Sequence, residues 1–133
     1  MPMYAGVTEC LDKLDKQGKL LAVATGKGRQ GLDPLLAEYG LVKYFAITRC
    51  ADETFGKPHP QMVLEILEFT GMDKKHAVLV GDTTYDMEMA ANAGVDAIAV
   101  EYGMHPPEKL AEHDPVATFG SFTALSQYLL NDK

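Results

Sequence analysis

Three short segments of the sequence carry residue types that could bind a phosphate group and a divalent cation. The first, Thr25-Gly26-Lys27, offers a hydroxyl group followed by the backbone N–H donors of a glycine-containing turn. Such donors suit an anion such as phosphate when they lie between a strand and the start of a helix. Taken alone this pattern is weak, because a Thr-Gly pair after a strand is also ordinary turn chemistry.

The second segment presents a lysine on a stiff backbone. Lys57 lies in the run Gly56-Lys57-Pro58-His59-Pro60, in which two prolines restrict the chain. A rigidly held ammonium group can bind a phosphoryl oxygen and offset nearby carboxylates. The alternative is a solvated lysine in a proline-rich loop. We expect His59 to act as a turn or capping residue.

The third segment brings two carboxylates to the same place. Asp82 and Asp86 are four residues apart, so a helix that begins near Thr83 places both at one end of the sheet. Two carboxylates in one cleft repel each other, and Mg²⁺ relieves that repulsion. Alternatively, Asp82 or Thr83 only caps the helix, and Asp86 interacts favourably with the helix dipole.

Alternating strands and helices must position these segments. Short apolar runs predict four buried parallel strands at Leu20–Ala24, Phe45–Thr48, Ala77–Val80 and Ala97–Val100. Helical spacing predicts helices at Val7–Leu14, Leu35–Tyr39, Met62–Thr70 and Thr84–Ala93, followed by an edge strand at Val116–Phe119 and a closing helix at Phe122–Leu130. Glycines are expected to stop the helices, among them Gly71 after Thr70 and Gly94 after Ala93. The second helix is expected to have Asp33 as its N-cap and Pro34 at its first position.

This alternation predicts an α/β fold with a doubly wound, mainly parallel sheet that is covered by helices on both faces. We expect one domain over residues 1–133, because this length is typical of a single core. In such sheets ligands bind beyond the carboxyl ends of the strands, where all three segments lie.

Composition and charge exclude several classes of protein. The residues are 47% hydrophobic and 23% charged, which is typical of a globular domain. A net charge of −7 argues against a nucleic-acid partner. No apolar run reaches the roughly 18 residues of a membrane span, and the N-terminus lacks signal-peptide features, so we expect a cytoplasmic protein without membrane contact. Cys10 and Cys50 lie outside metal and redox motifs and are expected to be buried structural thiols.

Taken in sequence order, the three segments resemble the second, third and fourth motifs of the haloacid dehalogenase (HAD) superfamily. Within that superfamily, the segments most resemble the phosphoglycolate-phosphatase-like branch. The resemblance implies a Rossmann-like fold. The stretches that carry it are Ala22-Val23-Ala24-Thr25-Gly26-Lys27, Ala51-Asp52-Glu53-Thr54, Gly56-Lys57-Pro58-His59-Pro60 and Gly81-Asp82-Thr83.

The resemblance implies a hydrolase that uses Mg²⁺ to cleave a small phosphomonoester substrate. Thr25 would hydrogen-bond the phosphoryl group, helped by the backbone of Gly26 and Lys27. Lys57 would be catalytic, steadying the phosphoryl oxygens and the charge of the nucleophile. A further implied feature is a metal site in which Asp82 is a direct Mg²⁺ ligand. There, Asp86 would be a further ligand or would support the ligands.

The superfamily's first motif is missing from the sequence. That motif is an Asp-x-Asp that supplies the nucleophile, and no Asp-x-Asp occurs here. The nearest pair, Asp12 and Asp15, has the wrong spacing and lies on the polar side of a helix. The covalent aspartyl-phosphate route is then closed, and the remaining groups can only bind and polarise. We therefore expect an inactive chain whose Mg²⁺ binding is weak.

The missing motif also has a structural consequence. In the family, the first strand lies between the strands that here end at Thr25 and Gly81, and the helical cap follows that strand. This chain thus resembles a truncated core that lacks its usual first central strand. We expect another segment to fill the position, through strand exchange in a homodimer or a complementing N-terminal segment. The sheet could instead close, with Leu20–Ala24 pairing directly to Ala77–Val80.

Other classes of function remain as alternatives. One is a non-catalytic binding or assembly module that retains the HAD fold. A response-regulator receiver fits poorly, because receivers place an acidic pair after the first strand and a phospho-accepting aspartate after a middle one. Here the strand ending at Thr48 leads only to Arg49-Cys50-Ala51-Asp52. Non-phosphatase members of the HAD superfamily are a third alternative, although Thr25, Lys57 and Asp82 favour phosphate.

Overall fold

Among the residues that the structure describes, five parallel strands are divided between two small sheets. The computed structural model describes residues 6–100 and 107–131. Its strands are β1 (Ala22–Thr25), β2 (Ile47–Cys50), β3 (Val78–Gly81), β4 (Asp96–Val100) and β5 (Ala117–Phe119). Within these ranges β1 pairs with β2, whereas β3, β4 and β5 form the second sheet, and every pair is parallel. The predicted α/β class with a parallel strand arrangement is confirmed. The suggested closure of the sheet by direct pairing of the first and third strands is wrong.

The strands β1 and β3, which do not pair with each other, are less buried than predicted. Val78 and Val80 of β3 are 43% and 41% exposed, and Ala22 of β1 is exposed as well. Central parallel strands are normally covered on both faces and paired at both edges. The prediction of buried strands is therefore wrong for these positions, whereas Ile98 and Val100 of β4 are buried as expected.

In the described part of the chain, six α-helices surround the strands. They are α1 (Val7–Lys16), α2 (Arg29–Glu38), α3 (Gln61–Thr70), α4 (Thr84–Ala93), α5 (Pro107–Ala111) and α6 (Phe122–Asn131), with 3-10 turns at Val42–Tyr44 and Lys74–His76. Two of the predicted stops are left-handed glycines, since Gly71 and Gly94 have φ values of 68° and 79°. The sequence patterns did not predict α5. Across the described part of the chain, each helix falls short of the length and apolarity needed to cross a membrane.

Helix α2 begins earlier than predicted. Its first residue is Arg29, with Gly28 as N-cap, and Pro34 lies inside the helix. The backbone N–H of Arg29 donates to both carboxylate oxygens of Asp52, at 3.3 and 3.2 Å, which satisfies a helix N-terminus. This cap comes from a residue beyond β2, so the local pattern around Asp33 could not reveal it.

The hydrophobic core connects the two sheets through α3 and α4. Met62 of α3 and Met89 of α4 are fully buried in one cluster, and Ala24 of β1 and Leu79 of β3 both pack against it. A second cluster lies under α2, where Leu32 and Leu36 are buried with Cys50. The two sheets are thus parts of one packed body, although their strands do not pair with each other.

Candidate functional site

Asp86 is a buried carboxylate that accepts hydrogen bonds from the end of β3. It is only 4% exposed. Its Oδ2 accepts from the backbone N–H groups of Asp82 and Thr83, both at 3.2 Å, and from the Thr83 hydroxyl at 2.9 Å. Its Oδ1 lies 2.5 Å from the ammonium nitrogen of Lys57. The carboxylate therefore has four donors around it and holds the lysine in place.

The same carboxylate completes the N-terminus of α4. Thr83 is the N-cap, and its hydroxyl accepts a hydrogen bond from the Asp86 N–H at 3.1 Å, so the two residues form a reciprocal capping box. Gly81 leaves the room that this arrangement needs. A Cβ atom at Gly81 would lie 2.3 Å from the Cβ of Asp86. The start of α4, the end of β3 and Lys57 consequently pack together around Asp86.

Both oxygens of Asp86 lie near donors, since Oδ1 contacts the Lys57 ammonium and Oδ2 accepts from two N–H groups and one hydroxyl. The capping role, which the sequence left open, is present. The role of Asp86 at a metal site, as a ligand or as a residue that supports the ligands, stays a prediction. Asp82 is half-buried directly after β3, and its carboxylate is of the type that a hard cation binds.

Lys57 is held by its surroundings as well as by Asp86. Its side chain is 21% exposed. The loop around it is tied to α3, because the Gln61 N–H donates to Nδ1 of His59 at 3.1 Å, and to α4, because Asn92 donates to the Pro58 carbonyl at 3.1 Å. The predicted capping role of His59 is confirmed. The loop that carries Lys57 is thus held by hydrogen bonds to α3 and α4.

The Thr25 loop is more open than the Lys57 loop. The Thr25 hydroxyl accepts a hydrogen bond from the Lys27 N–H at 3.1 Å, which closes a tight turn. Gly26 and Lys27 are exposed, and a Cβ atom at Gly26 would meet no other atom within 4 Å. The turn therefore borders open space, in which a ligand could approach the backbone.

Arg29, which begins the helix after the Thr25 loop, donates hydrogen bonds to several side chains. Arg29 donates to Glu53 at 2.7 Å, to Asp33 at 3.0 Å and to the Thr48 hydroxyl at 2.6 Å. The hydrogen bonds that Arg29 donates to Glu53 and then to Asp33 raise the pKa of Arg29, and the bond that Glu53 accepts from Arg29 lowers the pKa of Glu53. Sequence reasoning did not identify Arg29, although the stretch that contains Asp52 and Glu53 contributed to the family resemblance.

Cys50, Asp52 and Glu53 also place three potential metal ligands within 4.8 Å of one another. Their other contacts favour a structural role. Asp52 caps α2 through Arg29, and Glu53 accepts from the Cys50 N–H at 3.1 Å as well as from Arg29. Cys50 is fully buried, and burial raises the pKa of its thiol. Cys10 and Cys50 are both buried and unbridged, as predicted for structural thiols.

The ends of β1, β2 and β3 meet at one edge of the fold. Thr25, the last residue of β1, is opposite Cys50, the last residue of β2. Lys57 follows β2 and contacts Asp86, which follows β3. The second and third predicted segments are therefore in contact, whereas the Thr25 loop is linked to them indirectly, through the pairing of β1 with β2.

Parallel strands that end in a hydroxyl turn, a half-buried lysine and an acidic helix start place the chain among the α/β proteins with a Rossmann-like core. Comparison with known proteins identifies the family. The family model described as haloacid dehalogenase-like hydrolase matches residues 1–100, and the chain belongs to this family. The expected superfamily is confirmed.

Two curated relatives place the chain near the phosphatases of the family. The Dickeya dadantii protein named Probable phosphatase IndB is 39% identical over 132 residues, which cover 96% of this chain and 57% of that protein. A phosphoglycolate phosphatase from Agrobacterium fabrum is 36% identical over 127 residues, which cover 95% and 54%. The predicted phosphoglycolate-phosphatase-like branch is therefore confirmed. The chain spans little more than half the length of these relatives.

Solved structures show the same fold. A chain described as a predicted phosphoglycolate phosphatase from Haemophilus somnus superimposes with a TM-score of 0.87 at 27% identity, covering 96% of this chain and 57% of that one. A HAD-superfamily hydrolase of subfamily IA from Geobacter sulfurreducens superimposes with a TM-score of 0.78 at 28% identity, covering 95% and 60%. The arrangement of the two sheets is thus shared with these longer chains.

Proposed function

We propose that this chain supplies the phosphate- and Mg²⁺-binding part of a phosphomonoesterase active site and does not hydrolyse phosphate esters by itself. The observation that carries the proposal is the Lys57 ammonium, which Asp86 holds at the edge where β1, β2 and β3 end. The same sequence contains no Asp-x-Asp that could provide an aspartate nucleophile. Binding groups are therefore present without the attacking group.

Lys57 would be the principal charge that receives the phosphoryl group. An ammonium has three N–H donors, and one of them is directed at Asp86. The remaining donors would bind phosphoryl oxygens, with the braced loop limiting the reorganisation needed on binding. The Thr25 hydroxyl and the backbone N–H groups of Gly26 and Lys27 would contact the same group from β1.

Mg²⁺ would bind through Asp82, and the chain alone would hold it weakly. Asp86 is already engaged, so the other oxygens around the ion would come from water, substrate or residues outside this chain. When bound, the ion would supply charge stabilisation at the phosphoryl oxygens. The residues of this chain orient the phosphoryl group and hold Lys57 and Asp82 near it.

A hydrolysis assay tests the catalytic part of the proposal. The purified chain, given p-nitrophenyl phosphate and Mg²⁺, should release no more nitrophenolate than the Lys57→Ala variant. An enzyme-like rate that Lys57→Ala abolishes would contradict the proposed incompetence of the chain.

Calorimetry with Mg²⁺ tests the metal assignment. Asp82→Asn should weaken binding at least tenfold, because the amide removes the negative charge that attracts the ion. Asp96→Asn is the matched control, since Asp96 is an exposed aspartate at the start of β4 and thus at the opposite edge. Equal Mg²⁺ affinity in Asp82→Asn and the unmodified chain would rule out the assigned ligand.

The missing nucleophile also supports a second function, a non-catalytic binding or assembly module. Mass spectrometry of the gene product in cells separates the two functions. A polypeptide that carries an Asp-x-Asp segment together with these 133 residues would support the enzyme. A product without such a segment, which binds inorganic phosphate without turnover, would support the module.

A further inference from the structure

The loops that follow β1 and β2 are joined by hydrogen bonds from two backbone N–H groups. The Ala51 N–H donates to the Lys27 carbonyl at 3.3 Å. Both carboxylate oxygens of Asp52 accept from the Arg29 N–H, at 3.3 and 3.2 Å. The start of α2, which follows the Thr25 turn, is therefore tied to the loop after β2 at two points.

Glu53 adds a third connection, made by side chains. Its Oε1 accepts from Nη2 of Arg29 at 2.7 Å, and its Oε2 accepts from Nε of Arg29 at 3.3 Å. This two-point arrangement fixes the direction of a guanidinium group as well as its distance. Oε1 also accepts from the Cys50 N–H at 3.1 Å, so the carboxylate is held at the end of β2. Glu53 thus sets the position of Arg29 relative to β2.

The loop after β2 continues from Glu53 to Lys57 under further restraint. Only three residues separate the two side chains in the sequence. Between them, the Phe55 N–H donates to Oε1 of Gln61 at 2.8 Å, and the Gln61 amide group donates to Glu65 at 2.9 Å. Gln61 and Glu65 belong to α3. The segment that leads to Lys57 is therefore bonded to a helix, and the position of Glu53 is linked to that of the lysine.

We infer that Glu53 is a positioning residue for phosphate binding, which through Arg29 keeps the Thr25 turn aligned with Lys57 so that both contact one phosphoryl group. The inference rests on the proposed function, in which the two loops bind the same phosphate. Glu53 acts without touching the phosphate. Its contribution is to reduce the reorganisation of the two loops that binding would otherwise require.

The sign of the effect separates positioning from charge. A carboxylate near an anion site repels the anion, so charge alone predicts tighter phosphate binding when Glu53 is neutralised. Positioning predicts weaker binding. Asp33 provides the comparison, because it accepts from the same guanidinium group at 3.0 Å. It lies on α2 together with Arg29, so it connects no two loops.

NMR titration with inorganic phosphate tests the inference without requiring hydrolysis. Glu53→Gln should weaken phosphate binding about fivefold, the size expected for one partly exposed pair. Asp33→Asn is the matched control, because it removes the same charge beside the same guanidinium group, and its affinity should change by about twofold or less. Urea titrations would establish that both variants are folded under the conditions of the measurement.

The amide signals show which loop loses its contact with phosphate. In the unmodified chain, phosphate should shift the amide signals of Gly26, Lys27 and Lys57. In Glu53→Gln, the Lys57 signal should still shift, whereas the shifts of Gly26 and Lys27 should be much smaller. Arg29→Lys is a second variant, which keeps the positive charge but loses the two-point arrangement, and it should show the same pattern.

Three results would overturn the inference. If Lys57→Ala binds phosphate as the unmodified chain does, or if neither binds it, the proposed function fails and the inference fails with it. If Lys57→Ala abolishes binding while Glu53→Gln binds phosphate equally or more tightly, the proposed function stands and the inference alone is wrong. If the shifts of all three amide signals decrease together in Glu53→Gln and in Arg29→Lys, Glu53 has a general structural role and does not align the two loops.

Discussion

The ends of β1 and β3 are held by two different kinds of interaction. At the end of β3, the buried Asp86 carboxylate joins the helix cap to Lys57. At the end of β1, the Thr25 turn is supported by Arg29 and Asp52, whose side chains are partly or largely exposed. Charges in a buried pair are weakly screened, whereas solvent and salt weaken exposed pairs.

Because of this difference, the ends of β1 and β3 differ in how easily they can move. The β3 end can hold a lysine in one position, because any movement would leave a charge in the interior without its partner. At the β1 end a movement of the turn costs less, because its supporting charges stay hydrated. Variants at the two ends should therefore differ in how strongly they affect folding.

The largest expected effect is that of Asp86→Ala. Removing the carboxylate leaves the Lys57 ammonium without its partner and breaks the α4 cap, so the free energy of unfolding should fall by about 3–5 kcal/mol in urea titrations. The control is Asp33→Ala, whose carboxylate is 59% exposed and pairs with Arg29 at the β1 end. In Asp33→Ala the free energy of unfolding should fall by about 1 kcal/mol or less. Similar losses in the two variants would contradict the proposed difference.

Gly81→Ala should have the next largest effect. The added Cβ would lie 2.3 Å from the Cβ of Asp86, so the strand end or the helix start must shift. We expect a loss of about 1–3 kcal/mol, the range typical of overpacking in a core, measured as a shift of the urea midpoint. Gly26→Ala at the β1 end is the matched control, because its Cβ would meet no atom within 4 Å.

The smallest effect should be the pH dependence that Glu53 contributes. Its bond to Arg29 lowers the pKa of Glu53 below its ordinary value of 4.5. The folded chain therefore binds fewer protons than the unfolded one just below pH 4.5, so this stabilisation is present at neutral pH and is lost as the pH falls through the folded pKa. Thermal unfolding of Glu53→Gln between pH 7 and pH 3 should show a shallower acid dependence than the unmodified chain. An identical profile would show that the pair contributes nothing to folding.

Local patterns predicted the parts of this protein that depend on neighbours in the chain. The five strands lie within a few residues of the predicted ranges, and His59, Gly71 and Gly94 end or begin helices as expected. Such features follow from side-chain periodicity and backbone preferences over a few residues. The order of the three strand-end segments was also sufficient to identify the superfamily.

Contacts between distant residues explain the predictions that failed. Helix α2 starts at Arg29 because Asp52, 23 residues away, caps it. The contact between Asp86 and Lys57, 29 residues apart in the chain, is likewise not encoded in either local pattern. Propensity and spacing contain no information on which distant charge reaches a given carboxylate.

The sequence by itself determined which residues could bind phosphate, the order in which parallel strands present them, and the lack of an aspartate nucleophile. Only the tertiary structure decided that β1 and β3 do not pair with each other among the described residues, since the cluster formed by α3 and α4 packs against both sheets without strand pairing. The physical reason is that strand pairing depends on which edges the packed helices bring together. That outcome depends on the whole core and not on any one segment.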